Sequence, residues 1–252
     1  MDKLGLALSG GGIRGVAHLG VLQYLTELGI KPSVIACTSA GSLAGAFYAA
    51  GFEPEEIFKI GKSEKFFSFS NLFKRSGVGL FSTDVFENII KKYISHNTIE
   101  SLDIQLYITA TDLTNAKLKI FSEGSLGTAI KASCCIPLVF QPVLFEGAYL
   151  TDGGILNNFP VNLLEGKVDK IIGINVNKLN AVQGKMGYKR IIERTVQVAI
   201  GNSVTTSKNK CNLYIEPPNM HNYRTFDFKK IDEIYKIGYE YAQSCKKELL
   251  KL

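Results

Sequence analysis

Ser33-Val34-Ile35-Ala36-Cys37-Thr38-Ser39-Ala40-Gly41-Ser42-Leu43-Ala44-Gly45-Ala46-Phe47-Tyr48-Ala49-Ala50 runs from an apolar stretch through a small-residue corner into a run of helix formers. That order reads as strand, sharp turn, helix. A serine at such a turn is lifted out of the backbone, with its hydroxyl exposed at a helix N-terminus. The small neighbours are required because strand and helix approach closely there. Nucleophilic catalysis needs this geometry, whereas folding alone has little use for it.

Outward from this corner, strands alternate with helices. Strands are expected at Leu4–Ser9, Val34–Ala36, Gln105–Asp112, Leu118–Ser122, Ala148–Thr151, Lys170–Val176 and Asn212–Glu216. Helices are expected at Val16–Leu28, Ser42–Ala50, Thr83–Tyr93, Leu126–Cys134, Arg190–Ser207 and Phe228–Leu249. The alternation predicts an α/β fold, a three-layer αβα sandwich around a mainly parallel sheet. A chain of 252 residues suffices for one such domain, so residues 1–252 are expected to form a single unit.

Composition bounds the function. Hydrophobic residues make up 46% and charged residues 21%, which suits a soluble globular protein. No apolar run reaches the ~20 residues of a membrane span. The start, Met1-Asp2-Lys3-Leu4, lacks the layout of a cleavable signal peptide. Five unevenly spaced cysteines argue against a disulfide framework and for a reducing cytoplasm. His18, His96 and His221 have no ligand-like neighbours, so no metal site is expected. The net charge of +6 is mild. It reads as a lysine-rich solvated surface or, more sharply, as a preference for anionic membranes; no nucleic-acid motif accompanies it.

Phe58 to Phe81 interleaves Phe58, Phe66, Phe67, Phe69, Phe73 and Phe81 with Lys59, Lys62, Lys65, Lys74 and Arg75. Two readings stand side by side: a core-packing excursion, and a cap beside the active site that touches a lipid interface.

Two further elements complement the serine corner. Ser9-Gly10-Gly11-Gly12-Ile13-Arg14-Gly15 joins the first strand to the first helix. Its successive backbone N–H groups can converge on an anion, with the helix dipole behind them. In an acyl-transfer enzyme that anion is the oxygen of the tetrahedral intermediate. The same residues fit G-x-G-x-x-G, but the acidic residue a dinucleotide ribose needs is absent, because the second strand ends in the serine corner. The other element, Thr151-Asp152-Gly153-Gly154, reads either as an ordinary Asp-Gly turn or as an aimed carboxylate. The second reading gains weight because Ser39 needs a base and the histidines are poorly placed. A triad of Ser39, Asp152 and His221 also remains formally open.

These blocks, with Ala132-Ser133-Cys134-Cys135-Ile136-Pro137-Leu138-Val139-Phe140 between them, resemble the bacterial patatin-like phospholipases in content and order. The resemblance covers nearly the whole chain, including Phe226-Asp227-Phe228 and Gly238-Tyr239 near the end. It implies a serine–aspartate dyad that cleaves lipid acyl esters, with no metal or organic cofactor and no appended domain. By position, Ser39 is then the nucleophile and Asp152 its base. The amides of Gly10, Gly11 and Gly12 form the oxyanion hole, with Arg14 as a supporting cation. Gly15, Gly41, Pro137, Gly153 and Gly154 complete the motifs. One residue departs: Cys37 stands where the family's G-x-S-x-G usually has glycine. Its thiol is tolerable if the backbone there does not need a positive φ. A reading from another class is a catalytically idle lipid-binding scaffold with the same fold.

Overall fold

The structure, a computed structural model, describes residues 2–64, 82–182, 184–224 and 228–252. Among these, eight strands form one sheet: β1 (Leu4–Leu8), β2 (Val34–Thr38), β3 (Gln105–Asp112), β4 (Lys117–Phe121), β5 (Val143–Phe145), β6 (Ala148–Asp152), β7 (Lys170–Ile174) and β8 (Leu213–Ile215). The helices are α1 (Val16–Glu27), α2 (Ala40–Ala49), α3 (Pro54–Ser63), α4 (Asp84–Tyr93), α5 (Leu126–Ser133), α6 (Gly154–Asn157), α7 (Tyr188–Ser207), α8 (Ile231–Ser244) and α9 (Lys246–Leu249).

Side-chain alternation explains why helices cover both faces of the sheet. Leu6 and Leu8 of β1, with Ile35 and Cys37 of β2, enter a core that holds Leu22, Phe47 and Ile130. Ala7, Val34 and Ala36, one residue out of phase, enter a second core with Phe159, Val161 and Leu164. A strand buried on both faces reads as a continuous apolar run, as β2 does. Each fully buried Leu or Ile contributes roughly 1.5–3 kcal/mol of transfer free energy, so the central strands anchor the sheet.

Strand order is β5-β6-β3-β2-β1-β7-β8, with β4 also on β3. The β1–β2, β1–β7, β2–β3 and β7–β8 pairs are parallel, and the β3–β4, β3–β6 and β5–β6 pairs antiparallel. The sheet is therefore parallel from β3 through β2, β1 and β7 to β8, and antiparallel where β4 and the β5–β6 hairpin join it. The register there positions the site. β2 pairs with β3 up to Thr38↔Thr109, and β6 takes over at Ala110↔Asp152. β4 overlaps both stretches of β3, so β2 and β6 must share the opposite edge. The end of β6 thus meets the end of β2, and Asp152 arrives beside Ser39.

Several elements differ from expectation. β5 and α6 are three and four residues long, too short for periodicity to reveal. α3 was legible but not expected: Pro54 occupies the first helical position and the Glu56 side chain accepts from the Glu53 amide. The expected last helix is divided into a 3₁₀ turn (Phe228–Lys230), α8 and α9, with Cys245 between the last two.

Of the aromatic segment from Phe58 to Phe81, residues 65–81 lie outside the described residues. The described part packs on the protein. The Phe58 ring sits 4.5 Å from that of Tyr235, and Lys62 pairs with Asp232 at 2.8 Å. No helix among the described residues is long and apolar enough to cross a membrane.

Candidate active site

Ser39 lies between β2 and α2 with φ 51° and ψ −123°. That conformation is costly for a residue with a side chain, on the order of 1–3 kcal/mol, and persists only where surroundings over-determine it. Those surroundings are close. A Cβ on Gly41 would stand 2.6 Å from the Ser9 carbonyl oxygen, and one on Gly15 would stand 2.5 Å from Ala40 Cβ. A larger residue at Gly41 would push α2 off the end of β1, and one at Gly15 would push α2 off the turn that leads into α1.

The Ser39 hydroxyl donates to Asp152 Oδ2 at 2.6 Å, and both residues are buried. Asp152 Oδ1 accepts the Gly154 amide at 2.7 Å, so both carboxylate oxygens are engaged. Burial pushes the Asp152 carboxyl up from 3.8 to about 6, against the opposing pull of its hydrogen bonds from Ser39 and Gly154. Gly153 lies against Thr109, whose backbone and hydroxyl leave no room for a side chain there.

The glycine loop abuts the serine: a Cβ on Gly10 would fall 3.1 Å from Ser39 Cβ. The three amides are not equivalent. Gly10 N–H donates to the Asn158 carbonyl at 3.1 Å, so Gly10, expected as an anion donor, is committed to holding the loop. The Gly10 carbonyl in turn accepts from the Asn177 side chain. No hydrogen bond engages the amides of Gly11 and Gly12 among the described residues. They stand at the head of the 3₁₀ turn Gly12–Gly15, which runs into α1. Gly12 has φ 56°, a left-handed conformation that favours glycine.

Arg14 is buried under this loop. Its Nε donates to the Gly11 carbonyl at 3.2 Å, and no carboxylate among the described residues pairs with it. Burial lowers its pKa to about 10, which leaves it charged at neutral pH. Pro137 lies in the turn that follows α5, and Phe140, three residues on, packs its ring 5.9 Å from that of Phe86.

Cys37 is buried in β2, donates to the Tyr107 carbonyl at 3.3 Å and has no positive φ. Burial pushes its thiol up, which makes thiolate chemistry unfavourable. Gly45 of α2 packs over the same region: a Cβ there would lie 3.2 Å from Ile35 Cγ2 and 3.4 Å from Cys37 Sγ.

The histidines stand apart. His18 Nε2 lies 2.8 Å from the Ser9 carbonyl; that acceptor requires the proton on Nε2. Burial lowers its pKa to about 4, so the ring is neutral at pH 7. His221 meets Asn180 at 3.1 Å on the surface, while Asp152 binds Ser39 without an intermediary. His96 lies in an exposed turn. No group of three or more His, Cys, Asp or Glu side chains among the described residues could hold a metal ion.

The sequence reading gave no role to Ser133. Its hydroxyl oxygen, at the end of α5, accepts the Ser39 amide at 2.8 Å. Nor did it foresee the Ser42 hydroxyl, which donates to the Ser39 carbonyl at 2.6 Å. The block Ala132–Phe140 was visible as a motif, but nothing local indicates that its serine reaches Ser39.

Patatin-like phospholipase describes the family that matches residues 6–164. The chain belongs to this family. Lysophospholipase NTE1 of Meyerozyma guilliermondii is 30% identical over 275 aligned residues, covering 96% of this chain and 19% of that protein. The Saccharomyces cerevisiae protein of the same name is 29% identical, over 96% of this chain and 16% of its own. The chain thus spans less than a fifth of these relatives. Among solved structures, VipD from Legionella pneumophila aligns over 99% of this chain and 67% of its own, with TM-score 0.54 and 15% identity. ExoU from Pseudomonas aeruginosa, in its complex with SpcU, aligns over 99% and 52% with TM-score 0.51 and 16% identity. These two likenesses concern the patatin-like fold alone.

Proposed function

We propose that this protein is a serine lipid acyl hydrolase working through a Ser39–Asp152 dyad. The observation that carries the reading is the direct 2.6 Å hydrogen bond from the Ser39 hydroxyl to a buried carboxylate. Asp152 takes the hydroxyl proton as Ser39 Oγ attacks the ester carbonyl carbon. A carboxylate raised to about 6 is a better base than an ordinary one, yet it is still ionised at pH 7. The amides of Gly11 and Gly12 face the new oxyanion, and each such donor is typically worth ~2.7–4 kcal/mol of barrier. Gly10 and Arg14 keep that loop in place through Asn158 and Gly11. The leaving alcohol takes the proton from Asp152, which then activates water against the acyl-serine. The whole cycle uses side chains and amides of this chain.

Membership of the patatin-like phospholipase family and the lysophospholipase relatives support a glycerophospholipid ester as substrate, with lysophospholipids the first class to test. Exposed apolar side chains support an approach to a lipid surface. Leu144 and Tyr149 pair across the β5–β6 hairpin, and the Leu113 amide donates to the Tyr149 carbonyl at 2.8 Å. All three are more than half exposed, and Tyr149 is three residues from Asp152 on the same strand. We place this activity in a single domain on the cytoplasmic side of a membrane, where the five free cysteines stay reduced.

The test is a panel of lysophospholipids, diacyl phospholipids and monoacylglycerols with wild type and Ser39→Ala. Wild type should release fatty acid from at least one class, and the variant from none. Intact mass after exposure to a fluorophosphonate should rise by one adduct on Ser39. A wild type that neither cleaves nor labels would refute the dyad and favour the idle scaffold.

A further inference from the structure

One three-residue segment, Ser133-Cys134-Cys135, touches both halves of the Ser39–Asp152 pair. Ser133 Oγ accepts the Ser39 amide at 2.8 Å. The Cys135 carbonyl accepts the Asp152 amide at 2.9 Å and the neighbouring Thr151 hydroxyl at 2.6 Å. The segment closes α5, and Ser133 is fully buried. It therefore acts as a bracket between the end of β2 and the end of β6, two chain ends that do not pair with each other.

The Ser39 amide has no partner in regular structure. β2 ends one residue before it and α2 begins one residue after it. Its left-handed backbone turns the N–H away from both, toward α5. The other side of Ser39 is held separately, by the Ser42 amide at 2.8 Å and the Ser42 hydroxyl at 2.6 Å on the Ser39 carbonyl. With the Ser39 backbone gripped on both sides, its hydroxyl lies 2.6 Å from Asp152 Oδ2.

We infer that Ser133 is a positioning residue: its hydroxyl oxygen fixes the Ser39 backbone so that the Ser39 hydroxyl meets Asp152. This deepens the dyad reading and rests on it. Ser133 meets the Ser39 amide rather than its hydroxyl, so its effect passes through the Ser39 backbone. Removing the acceptor leaves a buried N–H unpaired and releases the strained turn. A displacement on the order of 1 Å at a nucleophile costs roughly a hundredfold in rate.

The experiment uses p-nitrophenyl butyrate, a soluble ester that needs no lipid surface, with wild type, Ser133→Ala, Ser133→Cys and Ser133→Thr. In Ala and Cys, kcat should fall roughly tenfold to a hundredfold with KM within about twofold. Ser39 donates to Asp152 and favours its ionised form, so a loosened contact moves the acid limb of kcat/KM to higher pH. Threonine keeps the oxygen acceptor and should recover most of the rate. A folded Ala or Cys variant with kcat within twofold of wild type would overturn the inference. So would an unmoved acid limb with rate lost only in proportion to thermal stability; the Cys variant, close to serine in size, decides if Ala does not fold. If wild type itself neither turns over nor labels on Ser39, the dyad reading falls, and the role of Ser133 in it falls too.

Discussion

Replacing Asp152 with asparagine should stabilise the fold at pH 8 while it removes turnover. Burial raises this carboxyl from 3.8 to about 6 in the folded protein. Between those values the folded state keeps a proton that the unfolded state has lost, so stability falls as pH rises through the interval. At about 1.4 kcal/mol for each tenfold change in proton affinity, the rise amounts to about 3 kcal/mol, fully present above pH 6. Asparagine never ionises, its carbonyl can still accept the Gly154 amide, and its NH₂ can face Ser39. His18 complicates the wild-type curve. Its pKa falls from 6.5 to about 4 on burial, so the unfolded state binds the extra proton and stability rises with pH over nearly the same range. The two contributions have opposite signs and largely cancel in the wild type. The difference between Asp152→Asn and wild type at each pH isolates the aspartate. Urea denaturation at pH 4, 5, 6, 7 and 8 should give a variant close to wild type at the acid end and more stable by about 3 kcal/mol at pH 8. The variant's own curve should climb with pH because His18 is unmasked. A pH-independent difference, or a variant less stable at pH 8, would show that the Asp152 site is hydrated and that its carboxylate is not held at an energetic cost.

The same carboxyl sets the rate profile: kcat/KM on a soluble ester should fall about tenfold per pH unit below pH 6 and stay level above it, and an acid limb near pH 4 would contradict a buried base. His221→Ala should keep at least half of wild-type turnover, because that ring meets Asn180 at the surface; a collapse in kcat would restore the Ser-Asp-His triad. Leu144→Ser with Tyr149→Ser should slow hydrolysis of lysophospholipid in anionic vesicles by at least roughly tenfold, because two large apolar side chains are lost and each contributes about 1.5–3 kcal/mol when it leaves water. The same pair should leave p-nitrophenyl butyrate turnover unchanged, and equal rates on vesicles would remove the proposed lipid-facing edge.

What could be read from the chain, and what could not, divides along one physical line. Reactive groups must be of particular types in particular local settings, and local settings are written contiguously. The Ser39 corner, the glycine loop and Asp152-Gly153-Gly154 are each a few residues long, and each lies at the end of a strand visible by its apolar pattern. How they are held together depends on residues far away in sequence. The Gly10 amide is taken by the carbonyl of Asn158, so of three adjacent glycines that look equivalent two keep free donors among the described residues. The Cys37 thiol donates to the Tyr107 carbonyl, 70 positions away on β3. Thr38 and Thr109 join their hydroxyls at 2.7 Å across β2 and β3, and Thr38 reaches the Asn157 carbonyl at 2.9 Å, which ties α6 to the serine corner. The meeting of Ser39 with Asp152 itself follows from the succession of β2 and β6 along one edge of β3. β6 reverses direction there because β5 precedes it in a three-residue strand that carries no periodic signal. A serine and an aspartate 113 positions apart thus meet through a hairpin too short to predict, and the bracket at Ser133 turns that meeting into a 2.6 Å contact.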